Sequence, residues 1–95
     1  MAVKVLSGKT VVTTAGEAVA LGSLSIQGAL LVRALETNTG VVALGNDGAG
    51  DVTVANGLRL AAGEAVRFGF VGHLGALRLD AAVSGEGVSW LALDV

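Results

Sequence analysis

Apolar runs of four to seven residues, rich in Val and Leu, recur along the chain with a Gly at about every sixth position. Runs this short, broken this often, predict strands joined by tight turns rather than helices. The predicted strands cover residues 3–6, 10–14, 18–21, 29–35, 41–44, 52–55, 58–61, 65–70, 76–83 and 88–93. Turn signals separate most of them: Ala15-Gly16-Glu17, Asn38-Thr39-Gly40, Asn46-Asp47-Gly48, Asn56-Gly57, Ala62-Gly63-Glu64 and Ser84-Gly85-Glu86-Gly87. Asn56-Gly57 is the strongest two-residue hairpin signal among them.

Sliding the sequence on itself by 47 positions lays Ala15-Gly16-Glu17-Ala18-Val19 on Ala62-Gly63-Glu64-Ala65-Val66, and Gly28-Ala29-Leu30 on Gly75-Ala76-Leu77. The ungapped alignment holds 16 identities in 48 pairs, where this composition predicts about five or six by chance. The pattern reads as a duplicated half-domain, with halves at about 1–47 and 48–95. A buried face keeps its character between copies while an outer face drifts. Leu30, Val32 and Ala34 align with Leu77, Leu79 and Ala81, whereas Leu31 and Arg33 align with Arg78 and Asp80. The first set is therefore expected inside and the second outside.

Each half reads strand, Ala-Gly-Glu turn, strand, loop, strand, polar Gly turn, strand. Two such halves make an all-β domain, an eight-stranded sandwich or jelly roll, with a small closed barrel as the alternative. Residues 1–9 are left as an N-terminal arm or an edge strand. Ala, Val and Leu supply most of the hydrophobic residues, so Phe68, Phe70 and Trp90 are expected to fill the space between the sheets.

At 95 residues the chain is one small domain. Its formal charge of −2 comes from side chains scattered without runs, which leaves no positive field for nucleic acid. No apolar stretch approaches the ~18 residues of a membrane-spanning helix, and the opening Met1-Ala2-Val3-Lys4 carries no export signal. There is no cysteine, hence no disulfide or thiolate metal site.

Candidate chemistry is thin. His73 is the single histidine, and one imidazole does not make a zinc or acid–base site. Ser84 or Ser89 could be drawn into a triad with His73 and Asp80 or Asp94, but no Gly-x-Ser-x-Gly elbow presents a nucleophile. The Asp47 to Asp51 loop gathers carboxylates on glycine, without the ligand spacing of a calcium loop. Glu17 and Glu64 are related by the repeat and sit in surface turns. No catalytic residue, cofactor or metal is expected. What remains is the outer surface, where the first half offers Ala20, Leu31 and Leu35 while the second offers Arg67, Arg78 and Asp80. An apolar outer face is covered either by a partner or by a loop of its own chain. The predicted partner interface comprises Val3, Val5, Ala20, Leu31, Arg33 and Leu35.

Four stretches carry a family resemblance: Thr14 to Leu21, Val32 to Val42, Asn56 to Glu64 and Val83 to Leu91. Together they resemble the small β-sandwich proteins encoded among tailed-bacteriophage virion genes, the head decoration (cement) proteins and capsid-proximal head-fibre domains. The likeness runs from Thr10 to Leu93 and consists of turn and strand punctuation. Related sequences often carry Pro before the Gly of the second Ala-Gly-Glu turn, where this chain has Ala62. The resemblance implies a non-enzymatic protein made in the bacterial cytoplasm and carried on the virion. It would bind the major capsid protein from outside, as a homo-oligomer and by expectation a trimer at local threefold sites. The alternative is a receptor- or carbohydrate-binding fibre module, which the absence of Tyr and the single Trp, Trp90, disfavour, since sugar sites favour exposed aromatic platforms.

Overall fold

The computed structural model describes residues 5–45 and 52–93. Among these, eight strands appear: β1 (Val5–Val11), β2 (Val19–Ala20), β3 (Leu30–Ala34), β4 (Val42–Gly45), β5 (Leu58–Leu60), β6 (Ala65–Phe68), β7 (Arg78–Ala81) and β8 (Gly87–Leu93). A single 3-10 turn, Leu74–Ala76, precedes β7. The strands form two antiparallel four-stranded sheets, ordered β1-β8-β3-β6 and β2-β7-β4-β5. First pairs with last and second with second-last, inward to β4 with β5. This nested pairing is that of a jelly roll. No ladder joins the two sheets among the described residues, so the sandwich is open rather than a closed barrel.

Advancing every strand by four places turns the order of the first sheet into β5-β4-β7-β2, which is the second sheet read from its other edge. The 47-residue offset carries β2, β3 and β4 into β6, β7 and β8. It fails over most of β1, whose residues 5–10 align with 52–57, where the chain makes a turn instead of a strand.

Alternation decides which side chains meet in the middle. On β3, Leu30, Val32 and Ala34 are fully buried while Leu31 and Arg33 are exposed. Val88 and Ala92 of β8 join them from the same sheet, and Val42, Leu44, Leu79, Ala81 and Leu60 face them from the other. Leu77 packs against the same cluster as Leu30. Each fully buried Leu or Val contributes about 1.5–3 kcal/mol relative to exposure.

Three turns share one design. Thr14-Ala15-Gly16-Glu17, Ala61-Ala62-Gly63-Glu64 and Val83-Ser84-Gly85-Glu86 are each closed by a bond from the Glu N–H to the carbonyl three residues back. The Gly takes φ of +90°, +80° and +86° respectively, a left-handed conformation that side-chain-bearing residues resist.

Several expectations are overturned. Phe70 is 71% exposed, because β6 ends at Phe68 and the chain leaves the sheet at Gly69. It does so to bring Gly72 and Leu74 against the β2–β3 loop, with Ile26 N–H donating to the Gly72 carbonyl and Leu74 N–H to that of Leu24. Ile26 and Leu74 thereby become fully buried and take the place in the core expected of Phe70. Phe68 and Trp90 are partly buried against the core. Residues 52–55 are not a strand. Thr53 N–H donates to Asn56 Oδ1 at 2.8 Å, and the Thr53 carbonyl accepts from Asn56 and Gly57 N–H, so local side-chain bonding displaces the ladder. Gly57 is needed there for close approach, since a Cβ would lie 2.8 Å from the Leu44 carbonyl oxygen. The predicted strand at 3–6 and the one at 10–14 merge across Gly8 into β1, which forms an edge of its own sheet.

Candidate interaction face

The two outer faces of the sandwich differ in what lies over them. On the β2-β7-β4-β5 sheet the outward positions include Ala43 and Asp80, which are register partners. Both are buried, Ala43 completely and Asp80 to 2% exposure. Asp80 was expected on the surface; it does point out of the sheet, but the β1–β2 turn folds over it and Gly16 N–H donates to Asp80 Oδ1 at 2.9 Å. Beyond β4, Val52 lies over Gly45. Val52, 2% exposed, packs so closely on Gly45 that a Cβ there would meet Val52 Cβ at 2.7 Å. The chain's own loops thus cover the middle of this sheet at Ala43 and Asp80, while Arg59 on β5 stays exposed.

The middle of the β1-β8-β3-β6 sheet stays uncovered. Its register sets out rows across the outer face: Val5 beside Leu93, then Ser7, Leu91, Leu31 and Arg67, then Lys9, Ser89, Arg33 and Ala65. Val5 is 58% exposed and Leu31 40%, with Val11, Leu91 and Leu93 close behind at 38% each. A shallow depression of about 460 Å³ runs between Ser7, Lys9, Leu31, Arg33 and Leu91. A smaller one of about 160 Å³ adjoins it between Leu31, Leu91, Leu93 and Arg67. The face is thus apolar along its middle strands, with Lys9, Arg67 and the Arg33–Glu36 pair at its rim. Arg33 is held at the rim, donating from Nε to the Gly63 carbonyl at 3.2 Å and pairing with Glu36.

Of the residues expected at an interface, Val5, Leu31 and Arg33 share this face. Leu35 lies just past β3 and is partly buried, while Ala20 is on the other sheet opposite Arg78. Val3 falls outside the described residues. Sequence reasoning missed Ser7, Lys9, Leu91 and Leu93. The alternation Ser89, Leu91, Leu93 against Val88, Trp90, Ala92 carries that signal, once β8 is known to lie between β1 and β3.

The polar candidates are spread apart. His73 is exposed, and its Nδ1 accepts from Gly75 N–H at 2.8 Å, capping the 3-10 turn. Ser84 lies beyond the other end of β7, its Oγ accepting from Ala15 N–H at 2.9 Å. The drawn triad of His73, Ser84 and Asp80 is not assembled, and Asp94, Asp47 and Asp51 lie outside the described residues. Glu17 and Glu64 are exposed, and Glu64 Oε1 accepts from Ala61 N–H within its own turn. Glu86 ties two loops together, accepting from Thr39 N–H at 2.7 Å, Thr39 Oγ1 at 2.9 Å and Gly40 N–H at 3.0 Å. The Gly40 and Thr39 amides hold its carboxyl below the usual carboxylate range. Trp90 lies across Gly8, where a Cβ would fall 2.7 Å from its Cε2, and donates its Nε1–H to Thr10 Oγ1 at 3.3 Å.

In comparisons with known proteins, no family model, no curated protein and no solved structure matches the chain.

Proposed function

We propose that this chain is a non-enzymatic virion protein that binds the exterior of a tailed-bacteriophage capsid and reinforces contacts between shell subunits. The reading begins from the resemblance of its turn and strand punctuation to decoration proteins. The observation that carries it furthest is the contrast between faces: loops of the chain cover Ala43 and Asp80 at the middle of one sheet, whereas Leu31, Leu91 and Leu93 of the other lie uncovered. An adhesive protein works by burying area, about 800 Å² per partner in a stable contact, and a four-stranded apolar face with a charged rim suits that work. The Trp90 ring packs on Gly8, so it is not a free-standing platform of the kind the carbohydrate-module alternative would use; Phe70, 71% exposed, is the ring that alternative would have to call on.

Co-sedimentation with purified shells tests the proposal. Wild-type protein is expected to pellet with expanded shells and not with unexpanded ones. Leu31→Asp and Leu91→Asp should abolish pelleting while leaving the fold intact. Binding that survives both substitutions would remove the open face from the account.

A further inference from the structure

We infer that β1 is a self-complementary edge through which two copies of this chain pair antiparallel, extending the open sheet across a twofold axis near Gly8. This goes beyond shell binding and does not depend on it.

The four edges of the two sheets are unequal. β2, β5 and β6 have two, three and four residues, whereas β1 has seven. Short edges are poor templates for another strand, and a long one is a ready template. The chain contains no proline, so nothing of that kind blocks β1. In an antiparallel ladder, hydrogen-bonded and non-bonded positions alternate. Val12 N–H donates to the Glu86 carbonyl and the Val12 carbonyl accepts from Gly85 N–H. By alternation the backbone groups of Leu6, Gly8 and Thr10 face β8, and those of Val5, Ser7, Lys9 and Val11 face outward.

These outward groups fit a second β1 in one register better than in its neighbours. Full overlap pairs Val5 with the other copy's Val11 and Ser7 with its Lys9, each pair exchanging both N–H···O bonds, and sets Gly8 against Gly8 on the axis. Lys9 is the one charged side chain of β1, and here it meets a serine. A shift by one pair in one direction opposes Lys9 to Lys9, which repels; the same shift the other way opposes Val5 to Lys9 and sets Val11 against position 3, outside the described residues. Exposure points to the same place. Val5, Leu6 and Val11 are three of the large hydrophobics left exposed, at 58%, 39% and 38%, and all three lie on this strand. A closed twofold pair is also the commonest symmetric solution for an isologous contact, and it stands here in place of the trimer that the family resemblance implies.

Sedimentation equilibrium of the purified chain, without shells, tests the pairing. The wild-type protein is expected to pass from monomer to dimer as concentration rises. Ser7→Lys places like charges at both symmetry-related Ser7–Lys9 contacts and should weaken the dimer roughly tenfold. Ser7→Glu places opposite charges there and should tighten it roughly tenfold, an effect that salt erases. Both substitutions are on an exposed edge position, and circular dichroism confirms that the monomer fold is kept. A monomer at all concentrations, a trimer, or shifts of the same sign from Lys and Glu would each overturn the inference.

Discussion

Gly87→Ala isolates a steric effect that no propensity scale contains. Gly87 opens β8 and is buried, and a Cβ built on it would stand 2.6 Å from Val11 Cα and closer still to the Thr10 carbonyl oxygen. Carbon atoms rest at about 3.5–4.0 Å, and the obstacle is backbone, so β1 must move from β8 by roughly 1 Å. That movement breaks the bonds that finish the ladder, Val12 N–H to the Glu86 carbonyl at 2.9 Å and Gly85 N–H to the Val12 carbonyl at 2.7 Å. Each bond is worth about 1 kcal/mol net, and a forced displacement in a packed region costs about 1–3 kcal/mol more. The expected loss is therefore roughly 3–5 kcal/mol, a large share of the ~5–15 kcal/mol typical of a whole domain. Asn38 prevents an easy escape, because its Nδ2 donates to the Gly87 carbonyl at 2.9 Å and fixes that peptide from the other side. Gly85→Ala is the matched control. Its φ is +86° with no atom within 4 Å of a new Cβ, so it should lose only the ~1–2 kcal/mol of a left-handed backbone. Urea unfolding followed by Trp90 fluorescence measures both. A Gly87→Ala protein within about 0.5 kcal/mol of wild type, or less affected than Gly85→Ala, would refute the reasoning.

Two further predictions concern loops. Glu86 has its folded pKa lowered by the Gly40 and Thr39 amides, so its contribution is present above the ordinary value of 4.5 and is lost as pH falls below it, through the folded pKa. Glu86→Gln should accordingly lower the melting temperature at neutral pH, with the gap from wild type closing as acid protonates Glu86; a gap that stays constant across the acid range would contradict this. Phe70→Ser should change unfolding free energy by less than about 0.5 kcal/mol, because the ring is 71% exposed; a larger loss in the same urea assay would place Phe70 in the core after all.

Where one strand's alternation decides burial, the sequence was enough. Leu30, Val32 and Ala34 are inside for the reason that Leu31 and Arg33 are not, and the three Gly-Glu turns follow from glycine's access to positive φ. Where burial depends on the path of a distant loop, local pattern is silent. Asp80 alternates correctly outward and is still buried, because a turn 64 residues away in sequence lies over it. Val52 looks like a strand residue and instead covers Gly45 on the outside of a sheet, since Thr53 and Asn56 satisfy the backbone locally. Ile26 and Leu74 gain their core positions by pairing two loops that are far apart in the chain. Half of the open face was visible as Val5, Leu31 and Arg33. Its other half required knowing that β8 lies between β1 and β3, which is a long-range fact.

Residue-resolved hydroxyl-radical footprinting, on the free protein and on expanded shells, tests the asymmetry of the two faces most directly. In the free protein Leu31 and Leu91 should label readily and Val52 should resist, and on shells Leu31, Leu91 and Leu93 should become protected while Phe70 stays reactive. Rapid labelling of Val52 in the free protein, or protection on shells that falls on Phe70 and spares Leu31, would contradict the account.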